Sequence, residues 1–219
     1  MIAEGIDEQR CFFIPNGVDT SVYRPIGLAK KNGLRVSLGL PQGFLVLFCG
    51  RLAPEKGLDW LLSVWKQFVH QKSANLVLVG SGEEEKKLKV MAIKNVLFEG
   101  FVSDPLPYCQ AADTFVLPST TEGLSNSMLE AMACGLPVIA ARVGAASEVI
   151  THDLTGLLVA SGNTLELLNS LNFLYKNQKP REQIGTNGMD NIRTKYPLAK
   201  TVTALSLLYS ELIKEKGNR

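Results

Sequence analysis

Two stretches of this 219-residue sequence carry residue types whose spacing suits anion and sugar chemistry. The first, Gly50-Arg51-Leu52-Ala53-Pro54-Glu55-Lys56-Gly57, puts a guanidinium and an ammonium on one short loop, enough positive charge to neutralise a diphosphate. Each charge-assisted hydrogen bond is worth roughly 1.5–3 kcal/mol against roughly 0.3–1 for a helix dipole, so these cations would dominate phosphate affinity. Their competing use is a surface ion pair of Arg51 or Lys56 with Glu55. The second stretch runs from Pro118 through Glu122, Gly123 and Leu124 to Glu130. Ser125, Asn126 and Ser127 are capping residues for a helix that Gly135 and Pro137 stop, with Leu129, Met132 and Ala133 facing inward. The N-terminus of such a helix offers unpaired N–H groups and a positive dipole end to a phosphate, and Gly123 allows close approach. Glu122 stays on the loop while Glu130 lies inside the helix, so two carboxylates flank the anion site at different depths, placed to accept hydroxyl hydrogen bonds.

These groups act together only if the chain brings their loops to one place. Short apolar runs recur at residues 45–48, 76–79, 96–98, 114–117, 138–140 and 157–159, without apolar and polar alternation and with room for a helix in each interval. That pattern predicts parallel strands covered on both faces, a single α/β, Rossmann-like doubly wound sheet of about six strands with flanking helices. Leu58, Leu61, Leu62, Trp65 and Phe68 form one helical stripe; Ser81 and Glu84 make a capping box ahead of a helix over residues 85–94; Asp104-Pro105 reads as an N-cap followed by a first-turn proline. Sheets of this kind bind ligands outside the carboxyl ends of their strands, which draws attention to residues 50–57, 80–82, 100–102 and 118–127. Gly80-Ser81-Gly82 resembles part of a dinucleotide fingerprint, but the third glycine is missing and Glu83, Glu84 and Glu85 would repel a pyrophosphate, so it reads as a tight strand-to-helix turn. His70 and His152 have no nucleophile within sequence reach, and no Asp-x-Asp pair offers a metal site. Neither a cofactor nor a divalent ion is required by this reading.

Composition narrows the classes further. With 23 basic against 21 acidic residues, the net charge of +2 gives no electrostatic case for nucleic acid or an anionic membrane. The apolar runs fall far short of the ~20 residues of a membrane helix, excluding a transmembrane segment of that kind. Glu4 and Asp7 stand where a secretory leader carries positive charge, which reads as cytoplasmic. Cys11, Cys49, Cys109 and Cys134 form no C-x-x-C pair and offer neither a disulfide framework nor a zinc site.

Taken together, Ile14-Pro15-Asn16-Gly17-Val18-Asp19, the Gly50 to Gly57 loop, the Glu-x7-Glu pair Glu122 and Glu130, and Gly135-Leu136-Pro137-Val138 resemble the family 4 retaining glycosyltransferases of the GT-B fold, across essentially the whole chain. The resemblance implies that Arg51 and Lys56 hold a diphosphate, that Glu122 contacts donor-sugar hydroxyls and that Glu130 binds the ribose. It implies that Gly100, Phe101 and Val102 border the nucleotide base through backbone groups. The expected catalytic set is thus Glu122, Arg51 and Lys56, and Gly123, Leu124, Ser125 and Asn126 complete the expected nucleotide-sugar-binding set. Because the likeness begins where, in that family, the N-terminal domain ends, it implies the C-terminal half of a GT-B enzyme. Residues 1–22 are then a residual interdomain segment and 23–195 the donor-binding domain. Residues 196–219 form an amphipathic helix, striped by Leu198, Val202, Leu205, Leu208 or Tyr209 and Leu212, that crosses back to a missing N-terminal acceptor domain or partner chain. The expected reaction is retaining transfer of a hexosyl unit from a nucleoside-diphosphate sugar, inactive in this chain alone. The alternatives are a non-catalytic nucleotide-binding module or partner subunit that needs a separate acceptor-binding chain and, more remotely, a nicotinamide-binding oxidoreductase domain. The base, the sugar and the acceptor stay open.

Overall fold

The computed structural model describes residues 11–70 and 72–217; the acidic start over residues 1–7 lies outside them. Six strands form one sheet: β1 (Phe44–Cys49), β2 (Ala74–Val79), β3 (Val96–Gly100), β4 (Thr114–Leu117), β5 (Val138–Ala141) and β6 (Leu157–Val159). All neighbours are parallel and the order is β3-β2-β1-β4-β5-β6. Each strand coincides with one of the apolar runs, since a strand covered on both faces needs no polar alternation. The order reverses direction between β1 and β4, which pair through Val46 with Thr114 and Leu47 with Phe115. A crevice opens at such a switch point, outside the carboxyl ends of the two strands.

The helices cover both faces of the sheet: α1 (Leu28–Ser37), α2 (Leu58–Phe68), α3 (Glu85–Met91), α4 (Leu106–Ala111), α5 (Asn126–Ala133), α6 (Ala146–Val149), α7 (Thr164–Lys176), α8 (Gln178–Lys195) and α9 (Leu198–Gly217). The α2 stripe buries Leu58, Leu61, Leu62, Trp65 and Phe68, and the Phe68 ring meets those of Trp65, Phe44 and Tyr175 with centroids 5.1, 6.5 and 5.8 Å away. Beneath α1, the carboxylate of Asp113 accepts from Lys31 at 2.7 Å, from Arg35 at 2.8 Å and from the Leu45 N–H at 2.8 Å, tying α1, β1 and the start of β4 together.

Two local expectations need correction. Ser81 and Glu84 form no capping box: Glu84 has helical dihedrals, its N–H donates to the Leu52 carbonyl and its carboxylate pairs with Lys87, so the turn is held by the neighbouring loop. The helix it starts stops at Met91 instead of reaching residue 94. Asp104 Oδ1 accepts from the Leu106 N–H at 3.0 Å, but Pro105, not Asp104, stands at the N-cap and the helix begins one residue later.

The chain's first described stretch returns to its last helix. Val18 donates to the Tyr196 carbonyl and accepts from the Leu198 N–H, and Thr201 Oγ1 donates to the Pro15 carbonyl at 2.9 Å. From this junction α9 carries the striped residues into solvent, with Leu198 41% and Val202 52% exposed. Among the described residues no helix is long and apolar enough to cross a membrane.

Candidate functional site

The loops after β1 and β4 meet at the switch point and are fastened to each other. After β1 the chain makes a 3-10 turn, Pro54–Lys56, and leaves it through Gly57 at φ +63° into α2. A Cβ on Gly57 would stand 2.2 Å from the Pro118 carbonyl oxygen, so this close approach of the two loops requires glycine. On the other side of the turn the Thr120 N–H donates to the Glu55 carbonyl at 2.8 Å. The outcome is that Lys56 faces the β4 loop, and its Nζ donates to Glu122 Oε2 at 2.6 Å, both side chains largely buried. Arg51 takes the other partner: its guanidinium pairs with Glu55 and is 64% exposed at the mouth of the loop. The two cations on one loop therefore stand in different environments, a distinction their spacing does not reveal.

Behind Glu122 the chain enters α5. Ser125 has extended dihedrals and its Oγ accepts from the Met128 N–H at 3.3 Å, as its residue type and position require of an N-cap. Asn126 Oδ1 accepts from Asn16 Nδ2 at 3.0 Å, which brings the first described segment to the start of α5. The Glu122–Gly123 backbone is buttressed from the β5–α6 loop. Ala145 N–H donates to the Gly123 carbonyl at 3.1 Å, and a Cβ on Gly144, at φ +52°, would lie 2.0 Å from the Glu122 carbonyl oxygen.

Glu130 sits a turn into α5, partly buried. Burial holds its carboxyl above the usual carboxylate range, with the charge of Asp104 adding to the rise and a hydrogen bond from Tyr23 opposing it. The Tyr23 phenol is itself pushed up, by burial and then by Glu130. Asp104 follows β3, so the loop beyond that strand reaches the same neighbourhood as Glu130. Gly100 and Val102 are half-buried and Phe101 is exposed at the carboxyl end of β3. The Gly100 carbonyl is already engaged, accepting from the Gly80 N–H at 2.7 Å. Gly80-Ser81-Gly82 is a packing turn, with the Ser81 carbonyl accepting from the Leu52 N–H at 2.9 Å. His152 stands apart, its Nδ1 accepting from the Leu158 N–H at 3.0 Å. Cys109 and Cys134 are buried free thiols and Cys49 a half-buried one.

The fold thus brings Lys56 against Glu122, beside the capped start of α5, with Glu130 deeper on the same helix. Sequence reasoning missed Tyr23, Asn16 and Gly144. Asn16 lay inside a quoted motif but its contact spans 110 positions; Tyr23 and Gly144 carry no local signal at all.

Residues 43–177 match the family model described as glycosyl transferases group 1. A GDP-mannose-dependent monoacylated alpha-(1-6)-phosphatidylinositol monomannoside mannosyltransferase of Corynebacterium glutamicum is 34% identical over 197 residues, which are 84% of this chain and 51% of that protein. The structure of Anabaena Alr3699/HepE in complex with UDP and glucose superposes with a TM-score of 0.87 at 27% identity, covering 95% of this chain and 59% of that one. The C-terminal domain of a group 1 glycosyl transferase, LpcC of Francisella tularensis, is 28% identical with a TM-score of 0.75, covering 83% of this chain and all 100% of that domain. The chain spans about half the length of the Corynebacterium relative. The sheet order, the flanking helices and the match over residues 43–177 together make this a GT-B-type glycosyltransferase domain: the chain belongs to the glycosyl transferases group 1 family.

Proposed function

We propose that this chain is the donor-binding domain of a retaining glycosyltransferase that takes a hexosyl unit from a nucleoside-diphosphate sugar. The observation that carries this is the Lys56–Glu122 contact at 2.6 Å, at the switch point and beside the Ser125-capped start of α5. A cation, a carboxylate and a helix N-terminus meet there, which is what a phosphate ester of a polyol needs: positive charge for the diphosphate and an acceptor for sugar hydroxyls. In this reading Arg51 and Lys56 neutralise charge developing on the departing diphosphate, aided by the α5 amides, without a divalent ion. Glu122 holds the sugar as the anomeric bond breaks and oxocarbenium character develops. Glu130 takes the ribose hydroxyls. Gly123, Leu124 and Asn126 shape the phosphate end, and the backbone of Gly100, Phe101 and Val102 borders the base. One relative is GDP-mannose-dependent and a structural relative is in complex with UDP, so base and sugar are left open.

The acceptor site belongs to a complementary N-terminal half or partner chain, which would cover the exposed stripe of α9 and close over the sugar. Calorimetric titration with UDP, GDP, ADP and their sugar conjugates tests the donor role. Replacing Arg51 and Lys56 together by Ala should weaken diphosphate binding by roughly 3–5 kcal/mol, leaving the charge mainly to helix N–H groups. An unchanged dissociation constant would remove the proposal.

A further inference from the structure

Beside the outer edge of β6 runs a groove of about 400 Å³, lined on one side by the strand and on the other by one stripe of α7. That stripe is Glu166, Asn169, Ser170 and Phe173, at i, i+3, i+4 and i+7, so one helix face presents a carboxylate, an amide, a hydroxyl and an aromatic ring to the same space. Arg142, the first residue past β5, also lines it. Among the described residues the side chains of Arg142, Asn169 and Ser170 have no hydrogen-bond or ion-pair partner, and Phe173 is 39% exposed.

An open strand edge invites pairing with a peptide, but this one is shut. The amides of Leu158 and Ala160, which point away from β5, are already taken by His152 Nδ1 at 3.0 Å and Glu166 Oε2 at 2.7 Å. Charge decides against an ionic ligand. An anion drawn to Arg142 would face Asp153 and Glu166, and a cation drawn to those carboxylates would face Arg142; His152 already has its Nδ1 engaged as acceptor of the Leu158 N–H. What remains is a neutral ligand with many hydroxyls and an apolar face. A saccharide has both: its ring C–H face packs on an aromatic ring, and its vicinal hydroxyls suit an amide and a guanidinium.

We infer that the groove between β6 and α7 is a second saccharide-binding site, taking a neutral glycan by Phe173, Asn169, Ser170 and Arg142. It lies just around the β5–α6 loop from the candidate donor site: Arg142 is two residues ahead of Gly144, which packs on the Glu122 backbone. A glycan held there would be kept near the chemistry without occupying it. This rests on the donor-binding reading only in that the chain handles sugars.

The experiment is a titration of the isotope-labelled 219-residue chain with glucose, maltotetraose and mannotriose, followed by amide NMR shifts. Shifts are expected at the Asn169 side-chain amide and the backbone amides of Ser170 and Phe173, larger for the oligosaccharides than for glucose. Asn169→Ala, at an exposed position, and Phe173→Ala should each weaken that binding by about tenfold while leaving nucleoside-diphosphate affinity unchanged. Silence of the groove amides at millimolar sugar, or shifts confined to the surroundings of Glu122 and Glu130, would overturn the inference. Failure to bind any nucleoside diphosphate would instead strike the donor-site reading.

Discussion

Lys56 and Glu122 are assigned to different parts of one ligand, yet in the unliganded site they hold each other at 2.6 Å. The two roles are therefore coupled. The sugar role that the family resemblance implies for Glu122 leads to the expectation that Glu122→Ala spares a free diphosphate. With the contact in view the expected result changes from no effect to tighter binding. Glu122→Ala releases Lys56 from a competing carboxylate and should tighten free diphosphate binding by about 1 kcal/mol, while weakening the sugar conjugate by roughly 1–3 kcal/mol through the lost hydroxyl contact. Titration calorimetry with both ligands checks this; equal weakening of the two would show that Glu122 positions Lys56 instead of competing for it. Glu130→Ala, by contrast, should weaken both ligands, because the ribose is common to them.

Loops in this fold are fastened by contacts that can be broken singly. Gly57 combines a left-handed backbone, at φ +63°, with a Cβ position 2.2 Å from the Pro118 carbonyl. Gly162 has a similar backbone, φ +78°, with open space around it. Gly162→Ala should lower stability by about 1–2 kcal/mol through backbone strain, whereas Gly57→Ala should cost more, because its Cβ also meets the Pro118 carbonyl, and should weaken diphosphate binding by pushing the Lys56 turn off the β4 loop. Thermal melts paired with calorimetry separate the two effects.

Asp113 is the corresponding fastening for α1. Burial raises its pKa, but Lys31, the Leu45 N–H and Arg35 outweigh that and hold the carboxyl below the ordinary aspartate value of 3.8. Burial also lowers Lys31, against the pull of Asp113, while every hydrogen bond to Asp113 is to its charged form. A depressed carboxylate stabilises the fold above its unfolded pKa, and that contribution is lost as pH falls through the folded one. Stability should therefore drop below about pH 3.8 in the native chain. Asp113→Ala should cost about 3–5 kcal/mol at neutral pH by leaving two cations uncompensated, with a flatter acid limb in urea titrations at several pH values. An acid limb unchanged by the substitution would place the sensitivity elsewhere.

At the level of the assembled chain, the fold supplies a sheet, a crevice at the switch point and a helix whose apolar stripe is largely exposed. Leu198, Val202, Leu205 and Leu212 are all more than a third exposed, along a helix that starts where residues 15–18 meet Tyr196, Leu198 and Thr201. The chain alone should bind nucleotide and show no acceptor-dependent transfer of labelled sugar above background. A complementary N-terminal half, in cis or in trans, should restore transfer and protect α9 from protease. Robust transfer to a mixed acceptor pool by the purified 219 residues would mean that a second copy or another surface supplies the acceptor site.

Six strands, their parallel arrangement and the Ser125 cap were legible in the sequence, because each rests on neighbours a few positions away: an unbroken apolar run, or a hydroxyl three residues before the N–H it accepts. The same locality puts the candidate residues on loops after strands, and therefore at the carboxyl edge of a doubly wound sheet. What Lys56 pairs with was decided elsewhere. Glu55 is its sequence neighbour, yet its partner lies 66 positions away, because the crossovers seat β4 beside β1 and Gly57 lets the two loops close to backbone contact. Tyr23 beside Glu130, Asn16 on Asn126 and Gly144 behind Glu122 have the same origin. The failed Ser81–Glu84 box is the converse case, where a local signal was overridden because the Leu52 carbonyl took the Glu84 N–H first. Periodicity and capping are properties of a segment, whereas the pairing of charges across loops is a property of strand order, which exists only once the sheet has formed.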